Sequence, residues 1–421
     1  MQNDMIDMPL NIGLLHYSCP PVVGGVEETV GQHAAILHRL GQSVSVLAGA
    51  GEIYTNSFPI RIESLLGSRN PRILKTQEKI RDGDEKSLER LTNRIHGILK
   101  EWSHNLDVIL AHNILQMPFN LPLTLALHRL AAAEVRPVIV SWAHDSPYFK
   151  PNYPDYLESH PWNKLRWPAS NIFYVTISNS RKKLFNNLYC NTPLKVIHNG
   201  INPLSFFHLD PRSINLAEEL DLFGRDLVFI QPSRITPRKN IELSIHIIKG
   251  IKSLGYKILF IMTGAYDPHE TRSISYYRRL KYWIKKLGLQ DNIVVLAEYR
   301  FSNRQKLIPD RIFIRDLYLM ADLLLMTSKD EGFGLPLLEA GMAKLPIACS
   351  NIPAFLELGE DACFFNLNDH PFDIAKQIVK YLESTKTHKL FRSVMERHIL
   401  DMICKKEIIP FLKKIVSHKR E

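Results

Sequence analysis

A short segment near the end of the chain, "KDEGFGLPLLE" at 329–339, places two carboxylates around a glycine turn. Glu331 and Glu339 stand eight residues apart, and Pro336 favours a helix that starts just after the turn. Free amides and the helix dipole at such a start bind anions, phosphate above all. The alternative is one solvated acid and one acid attracted to a helix N-terminus. Because carboxylates bind hydroxyl groups, the whole pattern favours a phosphate held between two polyol-binding acids, as in a nucleotide sugar.

A second loop, "QPSRITPRKN" at 231–240, follows a predicted strand and opens a predicted helix. Arg234 and Lys239 stand five residues apart on it, and Pro237 stiffens the backbone between them. Two cations on such a loop suit a diphosphate and the charge that develops on it as a bond breaks. An ordinary solvated basic turn is the alternative, and Arg238 is a third cation that the sequence does not distinguish.

The segment "SCPPVVGGVEETV" at 18–30 brings two glycines to the end of the first predicted strand. Gly24 and Gly25 precede a helix predicted from Val26, so their amides form a second candidate anion site. The spacing does not match G-x-G-x-x-G, which argues against a dinucleotide-dependent dehydrogenase. A plain turn is the alternative.

A histidine and an aspartate end another predicted strand, in "VSWAHDSP" at 140–147. His144 can place a hydrogen-bond donor near a developing charge. Asp145 is expected either to orient the His144 ring or to help receive an acceptor. A purely structural histidine is the alternative.

These segments are positioned by apolar strands that alternate with helical stretches along the whole chain. Strands are predicted at 11–17, 43–49, 107–112, 137–144, 173–179, 226–233, 257–264, 292–299, 322–328 and 345–350. Helices are predicted at 26–40, 122–133, 239–253, 271–287, 306–320 and 336–344. Continuous apolar strands that alternate with helices indicate parallel sheets covered on both faces.

The series restarts near residue 226, after an irregular stretch at 199–213. We therefore predict an α/β protein of two doubly wound, Rossmann-like domains that face each other across a cleft. The predicted boundaries are 1–205, 206–400 and a C-terminal helix at 401–421 that packs back on the first domain. Since ligands of such sheets bind at the carboxyl ends of the strands, the site is expected in that cleft.

The bulk composition limits the class of partner. The 421 residues include 53 Lys and Arg against 43 Asp and Glu, a net charge of +10 that favours anionic partners. No apolar run is long enough to span a bilayer, no secretory signal is evident and the five cysteines are unpaired, so a cytoplasmic protein is expected. Basic amphipathic stretches at 278–288 and 404–421 are expected to be outer faces of packed helices, with peripheral membrane contact as the alternative. No nucleic-acid-binding motif is present.

The segment 328–365 resembles the E-x7-E region of retaining glycosyltransferases of family four, which have the GT-B fold, and the resemblance extends over most of the chain. It implies that Glu331 contacts the donor sugar and Glu339 the ribose. The implied contacts to the diphosphate and sugar come from Arg234, Lys239, Gly332 and the amides of Phe333, Gly334 and Leu335.

The resemblance also implies roles for residues at other strand ends. His144 would lie close to the donor sugar, the Gly24-Gly25 loop would approach the donor phosphates, and Glu27 would face the acceptor with Asp145. Gly264 would leave room for the nucleotide and Glu298 would lie near its base. Asn199 and Gly200 would form the hinge between the domains.

The expected activity is a retaining transfer of a hexose from a nucleotide diphosphate sugar, of the GDP-mannose or UDP-glucose type, to an acceptor hydroxyl. The acceptor is a small polar molecule such as glucosylglycerate, a lipid or a glycan. No metal or other cofactor is expected, because the D-x-D of Asp82 and Asp84 lies in a charged connection and not at a strand end. The alternatives are a nucleotide-sugar epimerase, a phosphorylase-like enzyme and a non-catalytic nucleotide-sugar-binding module.

Overall fold

The computed structural model describes residues 8–81, 83–133, 137–190, 192–264, 271–359 and 361–418. Within them the chain forms two compact units. The N-terminal unit ends at Asn202 and resumes at His398, and the C-terminal unit is Pro203–Arg397. Each unit is a parallel sheet with helices on both faces, so the prediction of two doubly wound α/β domains is confirmed.

The N-terminal unit contains a seven-stranded sheet in the order β3-β2-β1-β4-β5-β6-β7, and every pair of neighbours is parallel. Its strands are β1 Asn11–His16, β2 Ser43–Ala48, β3 Ile60–Ile62, β4 Val108–His112, β5 Val138–Ala143, β6 Ile172–Thr176 and β7 Leu194–Val196. Its helices are α1 Gly25–Arg39, α2 Pro71–Arg81, α3 Glu85–Ser103, α4 Leu121–Ala133, α5 Asn179–Leu188, α15 Leu400–Ile403 and α16 Ile409–His418. Because two apolar clusters cover the sheet, one on each face, β4 and β5 are completely buried.

The C-terminal segment is part of the N-terminal core. Leu400, Cys404 and Leu412 are among the side chains that it buries against β1, β2 and α1. The backbone of Ile201 pairs with that of Ile399, and Arg39 of α1 forms an ion pair with Asp401. The returning segment thus begins at His398, slightly before the predicted boundary at 401.

Gly200 lies where the chain leaves this unit. A Cβ there would come within 2.8 Å of the Cα of Leu400 and 2.9 Å of the carbonyl oxygen of His398. The glycine is therefore required by close packing against the returning segment.

The C-terminal unit contains a six-stranded parallel sheet in the order β10-β9-β8-β11-β12-β13. Its strands are β8 Leu227–Gln231, β9 Ile258–Met262, β10 Ile293–Val295, β11 Leu323–Met326, β12 Ile347–Ser350 and β13 Cys363–Phe365. Its helices are α6 Pro203–Phe206, α7 Pro211–Glu219, α8 Ile241–Ser253, α9 Thr271–Lys286, α10 Arg311–Met320, α11 Leu335–Met342, α12 Pro353–Leu358, α13 Pro371–Ser384 and α14 Lys386–Arg397.

Both sheets have a topological switch point, where the order of the strands reverses and later strands lie on the other side of the first strand. It lies between β1 and β4 in the N-terminal sheet and between β8 and β11 in the C-terminal sheet. In open α/β sheets, ligands bind outside the carboxyl ends of the strands at this position. The loop after β8 carries Arg234 and Lys239, and the loop after β11 carries Glu331.

Several element boundaries differ from the sequence prediction. The strand predicted at 292–299 ends at Val295 and continues as a 3-10 turn at Leu296–Glu298. The helix predicted at 306–320 starts at Arg311, because the Asp310 carboxylate accepts a hydrogen bond from the Phe313 amide at 2.9 Å and caps it.

The D-x-D pair lies at the connection between α2 and α3. Asp82 is outside the described residues. Asp84 caps α3 by accepting hydrogen bonds from the Ser87 amide at 3.1 Å and the Ser87 hydroxyl at 2.7 Å.

The basic stretch at 278–288 lies mostly on α9, which buries Tyr276, Tyr277, Leu280 and Ile284 and exposes its lysines. Among the described helices, none combines the length and the hydropathy needed to cross a membrane.

Candidate functional site

The C-terminal unit brings Lys239 and Glu331 together across 92 residues of sequence. The Lys239 ammonium forms an ion pair with the Glu331 carboxylate, and the two side chains are only 13% and 9% exposed. The Ser328 hydroxyl donates to the same carboxylate oxygen at 2.7 Å. Because β8 and β11 are neighbours, the loops that follow them meet at the switch point and form a single charged site.

A buried polar network fixes the two loops to each other. The Thr327 hydroxyl at the end of β11 lies 3.0 Å from the carbonyl oxygens of both Lys239 and Asn240. The Ser244 hydroxyl of α8 lies 2.8 Å from the Thr327 hydroxyl and 2.7 Å from the Gln231 side-chain oxygen. Since buried polar groups require partners, this network holds the backbone of the Lys239 loop in one position relative to β11.

The turn after Glu331 leads into the N-terminus of α11. Gly334 caps the helix with φ +104°, a left-handed conformation that favours glycine, and a Cβ there would lie 3.2 Å from the Phe355 ring. Phe333 and Leu335 are exposed. The amides of Phe333, Gly334 and Leu335 donate to no carbonyl among the described residues outside the helix, and the first amides of a helix have no partner inside it. These amides and the helix dipole therefore make an accessible anion-binding end.

Glu339 lies in the second turn of α11, because the helix starts at Leu335. It accepts a hydrogen bond at 2.7 Å from the hydroxyl of Tyr318 on α10. Burial, and then this hydrogen bond, raise the pKa of Tyr318 far above its ordinary value. Tyr318 therefore remains a donor and fixes the orientation of the Glu339 carboxylate.

Arg234 is exposed on the loop after β8 and makes no ion pair with a described carboxylate. The backbone beside it packs on Gly264, where a Cβ would lie 1.9 Å from the Ser233 carbonyl oxygen and 2.9 Å from the Arg234 Cα. The space that Gly264 leaves open is thus filled by the Arg234 loop itself. This close contact supports the backbone that presents the guanidinium.

A second ion pair joins the same two loops at the surface. A guanidinium nitrogen of Arg238 lies 3.7 Å from a carboxylate oxygen of Asp330, and both side chains are at least half exposed. The Lys329 amide also donates to the Arg238 carbonyl at 2.9 Å. Arg238 is therefore engaged in a solvated pair, in contrast to Lys239.

Glu298 and Tyr299 lie beyond β10, which β9 separates from β8. The Glu298 carboxylate pairs with Lys281 of α9 at 2.9 Å, and the Tyr299 hydroxyl donates to Glu219 at 2.6 Å. The structure therefore does not bring Glu298 next to the Lys239–Glu331 pair.

In the N-terminal unit, three histidines lie at the carboxyl ends of adjacent strands. His16 ends β1, His112 ends β4 and His144 follows β5. The Nδ1 of His16 donates to the His112 carbonyl at 2.6 Å, and the Nδ1 of His112 lies 3.5 Å from the Nε2 of His144. All three are nearly buried. Each of these three strands reads "LLH", "LAH" or "WAH" at its end, a repeated signal in the sequence that identifies His16 and His112 as well as His144.

Burial lowers the pKa of His33, His112 and His144 and favours their neutral forms. Burial, and then repulsion from His16, lower the pKa of His144 to about 4. Burial, and then repulsion from His144, lower the pKa of His33 on α1 to about 3. Burial is also the main cause that lowers the pKa of His112 well below its ordinary range. The rings of His33 and His112 pack against Trp142 at centroid distances of 5.1 and 5.5 Å.

Asp145 does not orient the His144 ring. Its carboxylate pairs with Arg181 at 3.1 Å and accepts from the Ser146 amide at 2.9 Å. The backbone here is held by Asn113, whose side-chain oxygen accepts from the amides of His144 and Asp145 at 3.1 and 3.0 Å. The expected His-Asp orientation is therefore wrong, and the ring neighbour of His144 is His112.

The backbone conformation at Gly24 and Gly25 does not by itself require glycine. Gly24 is extended at φ 178°, which any residue adopts, and Gly25 is the first residue of α1 with open space at its Cβ position. The Glu27 side chain folds back over Gly24 and accepts from the Ser18 hydroxyl at 2.7 Å. The neighbouring His16 ring, whose Nε2 lies 3.8 Å from a Glu27 carboxylate oxygen, is the main cause that lowers the pKa of Glu27 to about 2.

A cavity of about 580 Å³ lies in the C-terminal unit at the amino edge of its sheet, between the start of β8 and helices α13 and α14. Its lining includes Asp226, Tyr256 and Arg392, and none of the predicted site residues. Ligands of open parallel sheets bind at the carboxyl ends of the strands, so the candidate site is assigned to the opposite edge on geometry.

The match to a protein-family model lies within the C-terminal unit. Residues 214–394 match the family model described as glycosyl transferases group 1. The chain is 39% identical over 70 residues to the serotype-specific mannosyltransferase WbdA of Escherichia coli, a match that spans 17% of this chain and 9% of that protein. It is 24% identical over 290 residues to the mannosylglucosylglycerate synthase of Petrotoga mobilis, covering 64% of each chain.

Among solved structures, Anabaena Alr3699/HepE in complex with UDP and glucose aligns with 97% of this chain and 98% of its own, at 17% identity and a TM-score of 0.35. The family match at 214–394 includes Arg234, Lys239, Gly264, Glu331 and Glu339 and takes in most of the C-terminal unit. Over that segment, the chain is therefore similar to the glycosyl transferases of group 1.

Proposed function

We propose that the protein is a glycosyltransferase that moves a hexose from a nucleotide diphosphate sugar to an acceptor hydroxyl with retention of configuration. The observation that carries the proposal is the nearly buried Lys239–Glu331 pair beside the N-terminus of α11, within the segment similar to group 1 glycosyl transferases. The C-terminal unit is proposed to bind the donor and the N-terminal unit the acceptor.

The diphosphate of the donor is proposed to bind at the N-terminus of α11. The amides of Phe333, Gly334 and Leu335 offer hydrogen bonds, and Arg234 and Lys239 supply two positive charges. Charge accumulates on the diphosphate as the bond to the sugar breaks. Groups that are already positioned for that charge stabilise the transition state more than the ground state.

Glu331 is proposed to bind and orient a hydroxyl of the donor sugar. Its carboxylate is acceptor-only and is held on one oxygen by Lys239 and Ser328. This engagement suits a positioning role better than nucleophilic attack. We therefore propose attack from the same face as the departing diphosphate, whose oxygen takes the proton of the acceptor hydroxyl. Glu339, oriented by Tyr318, is proposed to bind the ribose.

No metal or other cofactor is required in this proposal. Two cations and the end of a helix provide the positive charge, and the carboxylates at the site already have protein partners. Treatment with a chelator should leave the transfer rate unchanged within about twofold, whereas loss of most of the activity would contradict this part of the proposal.

The proposal is tested by incubating the intact protein with UDP-glucose, GDP-mannose and UDP-N-acetylglucosamine. The measurements are thermal stabilisation, slow donor hydrolysis and transfer to a panel of acceptors. The mannosyl-transferring relatives make GDP-mannose the first donor to try. We expect one donor to be strongly preferred and to give transfer without added metal.

The alternatives give different results in the same assays. An epimerase converts the donor without an acceptor, and a phosphorylase-like enzyme requires inorganic phosphate. A binding module gives stabilisation with no turnover on any acceptor. Each of these outcomes would replace the transferase proposal.

A further inference from the structure

A basic groove lies between helices α2 and α3 of the N-terminal unit, away from the histidine cluster and the Glu27 loop. It encloses about 370 Å³. Eight side chains line it: Arg72, Lys75, Thr76, Lys79, Ser87, Arg90, Leu91 and Arg94. Five of these are cations and none is an acid, so the lining carries a charge density far above that of the chain as a whole.

The cations are arranged on two facing helical stripes. Arg72, Lys75 and Lys79 follow the i, i+3, i+7 spacing along α2, and Arg90 and Arg94 lie four residues apart on α3. Residues at these spacings share one face of a helix. The two stripes therefore point into the same groove.

Three acids of α3 have partners outside the groove. Glu89 pairs with Arg129 of α4 and Glu101 pairs with Arg61 of β3. Glu85 faces His160 at 3.8 Å. None of the five groove cations is within ion-pair distance of a carboxylate in the described part of the chain.

Asp84, at the turn between α2 and α3, is a described acid that interacts electrostatically with the groove cations. Hydrogen bonds from Ser87 are the main cause that lowers the Asp84 pKa, and the charges of Lys79 and Arg90 contribute further. This hydrogen-bonded carboxylate and Glu78 of α2 are two acids, too few to neutralise five cations.

We propose that this groove binds a phosphate-bearing ligand. Cations crowded on one face repel one another, and an anion with several oxygens removes that repulsion while it accepts hydrogen bonds from several donors. The three arginines can each bind phosphate with two parallel hydrogen bonds, and the hydroxyl of Thr76 adds a neutral donor. The phosphate belongs either to a free phosphorylated molecule or to a lipid headgroup at a membrane surface.

The groove is tested with pyrophosphate titrated into the intact chain by calorimetry at low ionic strength. The titrations are made in a Lys239→Ala background, which removes a cation of the proposed donor site and keeps the two anion sites distinguishable. The groove variant is Lys75→Glu with Arg90→Glu, two exposed positions. The charge-matched control is Lys183→Glu with Lys380→Glu, at exposed positions on α5 and α13. Thermal unfolding shows whether each variant remains folded.

The groove variant should weaken pyrophosphate binding at least about tenfold, and the control should change it less than about twofold. Equal affinity in the groove variant and its parent, equal losses in the two variants, or no binding to the parent would each overturn the proposal.

Sedimentation with vesicles of phosphatidylglycerol, compared with phosphatidylcholine, identifies the source of the phosphate. The groove is assigned to lipid headgroups if the parent binds the anionic vesicles, the groove variant does not, and pyrophosphate competes with the binding. Pyrophosphate binding without vesicle binding assigns it to a free phosphorylated molecule.

Discussion

Lys239 and Glu331 depend on each other for charge compensation, because both are nearly withdrawn from water. Removing one partner of such a pair leaves the other charge buried and uncompensated. The Arg238–Asp330 pair on the same loops is exposed, and solvent screens it. The two neighbouring pairs therefore form an internal comparison of a buried and an exposed charge pair.

The substitutions Lys239→Met and Glu331→Gln should each lower kcat/KM for transfer by at least about a hundredfold, since each removes a proposed interaction with the reacting part of the donor. The matched substitutions Arg238→Met and Asp330→Asn should change kcat/KM by less than about threefold. Steady-state kinetics with the preferred donor measures both sets. Similar losses in the exposed and the buried pair would remove the special role assigned to Lys239 and Glu331.

Sequence reasoning could identify residues that follow strands, because parallel strands end at a common edge of the sheet. Arg234, Lys239 and Glu331 are of this kind, and the structure places them on the loops after two neighbouring strands. It could not identify Tyr318 as the partner of Glu339, since that contact depends on how α10 packs against α11. Asp145 was paired with His144 by adjacency in sequence, whereas the structure pairs it with Arg181.

At the scale of the element, the loop between β8 and α8 depends on Gly264 at the end of β9. A Cβ at this position would overlap the Ser233 carbonyl, so the loop that carries Arg234 and Lys239 must move if any side chain is present. This contact therefore makes the position of Arg234 and Lys239, on the loop after β8, depend on the packing at the end of β9.

Gly264→Ala should lower the free energy of unfolding by more than about 2 kcal/mol and reduce transfer to near background. Gly341→Ala is the control, because Gly341 lies exposed on α11 with open space at its Cβ position. That change should stabilise the protein by about 0.5 kcal/mol and leave transfer unchanged. Denaturant unfolding and the transfer assay test both variants, and unaltered activity in Gly264→Ala would contradict the assigned packing.

Most of the strands were predictable, but the longest helix, α3, and three short strands were not. Ten of the strands have the apolar runs that mark a buried parallel strand, and each prediction overlaps the observed element. The strands β3, β7 and β13 have only three residues and, unlike the equally short β10, do not lie within one of the predicted apolar runs. The end of the strand at Val295 also moves Glu298 into a 3-10 turn, which apolar content alone does not reveal.

At the scale of the whole molecule, buried histidines make stability depend on pH. The folded-state pKa values of His144 and His33 are about 4 and about 3, below the ordinary value of 6.5 that applies in the unfolded chain. As the pH falls below 6.5, the unfolded state binds protons that the folded state does not. Unfolding is therefore favoured progressively from pH 6.5 down to about 4 for His144 and about 3 for His33.

Each such histidine contributes a slope of about 1.4 kcal/mol per pH unit within its range. His33→Leu removes about one proton from the uptake on unfolding, so between pH 6 and pH 5 the dependence of the unfolding free energy on pH should fall by about 1.4 kcal/mol per pH unit. His104→Leu, at an exposed position, should leave this dependence unchanged. Tryptophan fluorescence reports mainly on the N-terminal unit, which contains Trp102, Trp142, Trp162 and Trp167. Identical slopes for the parent and His33→Leu would show that the buried ring does not control this dependence.

The most direct test of donor binding in the C-terminal unit is a crystal structure of the intact protein with its preferred nucleotide sugar. The account predicts diphosphate density within hydrogen-bond distance of the Gly334 and Leu335 amides, with Arg234 and Lys239 on its oxygens and Glu331 on a sugar hydroxyl. Ordered density for the diphosphate at another location, with the N-terminus of α11 free of it, would contradict the account.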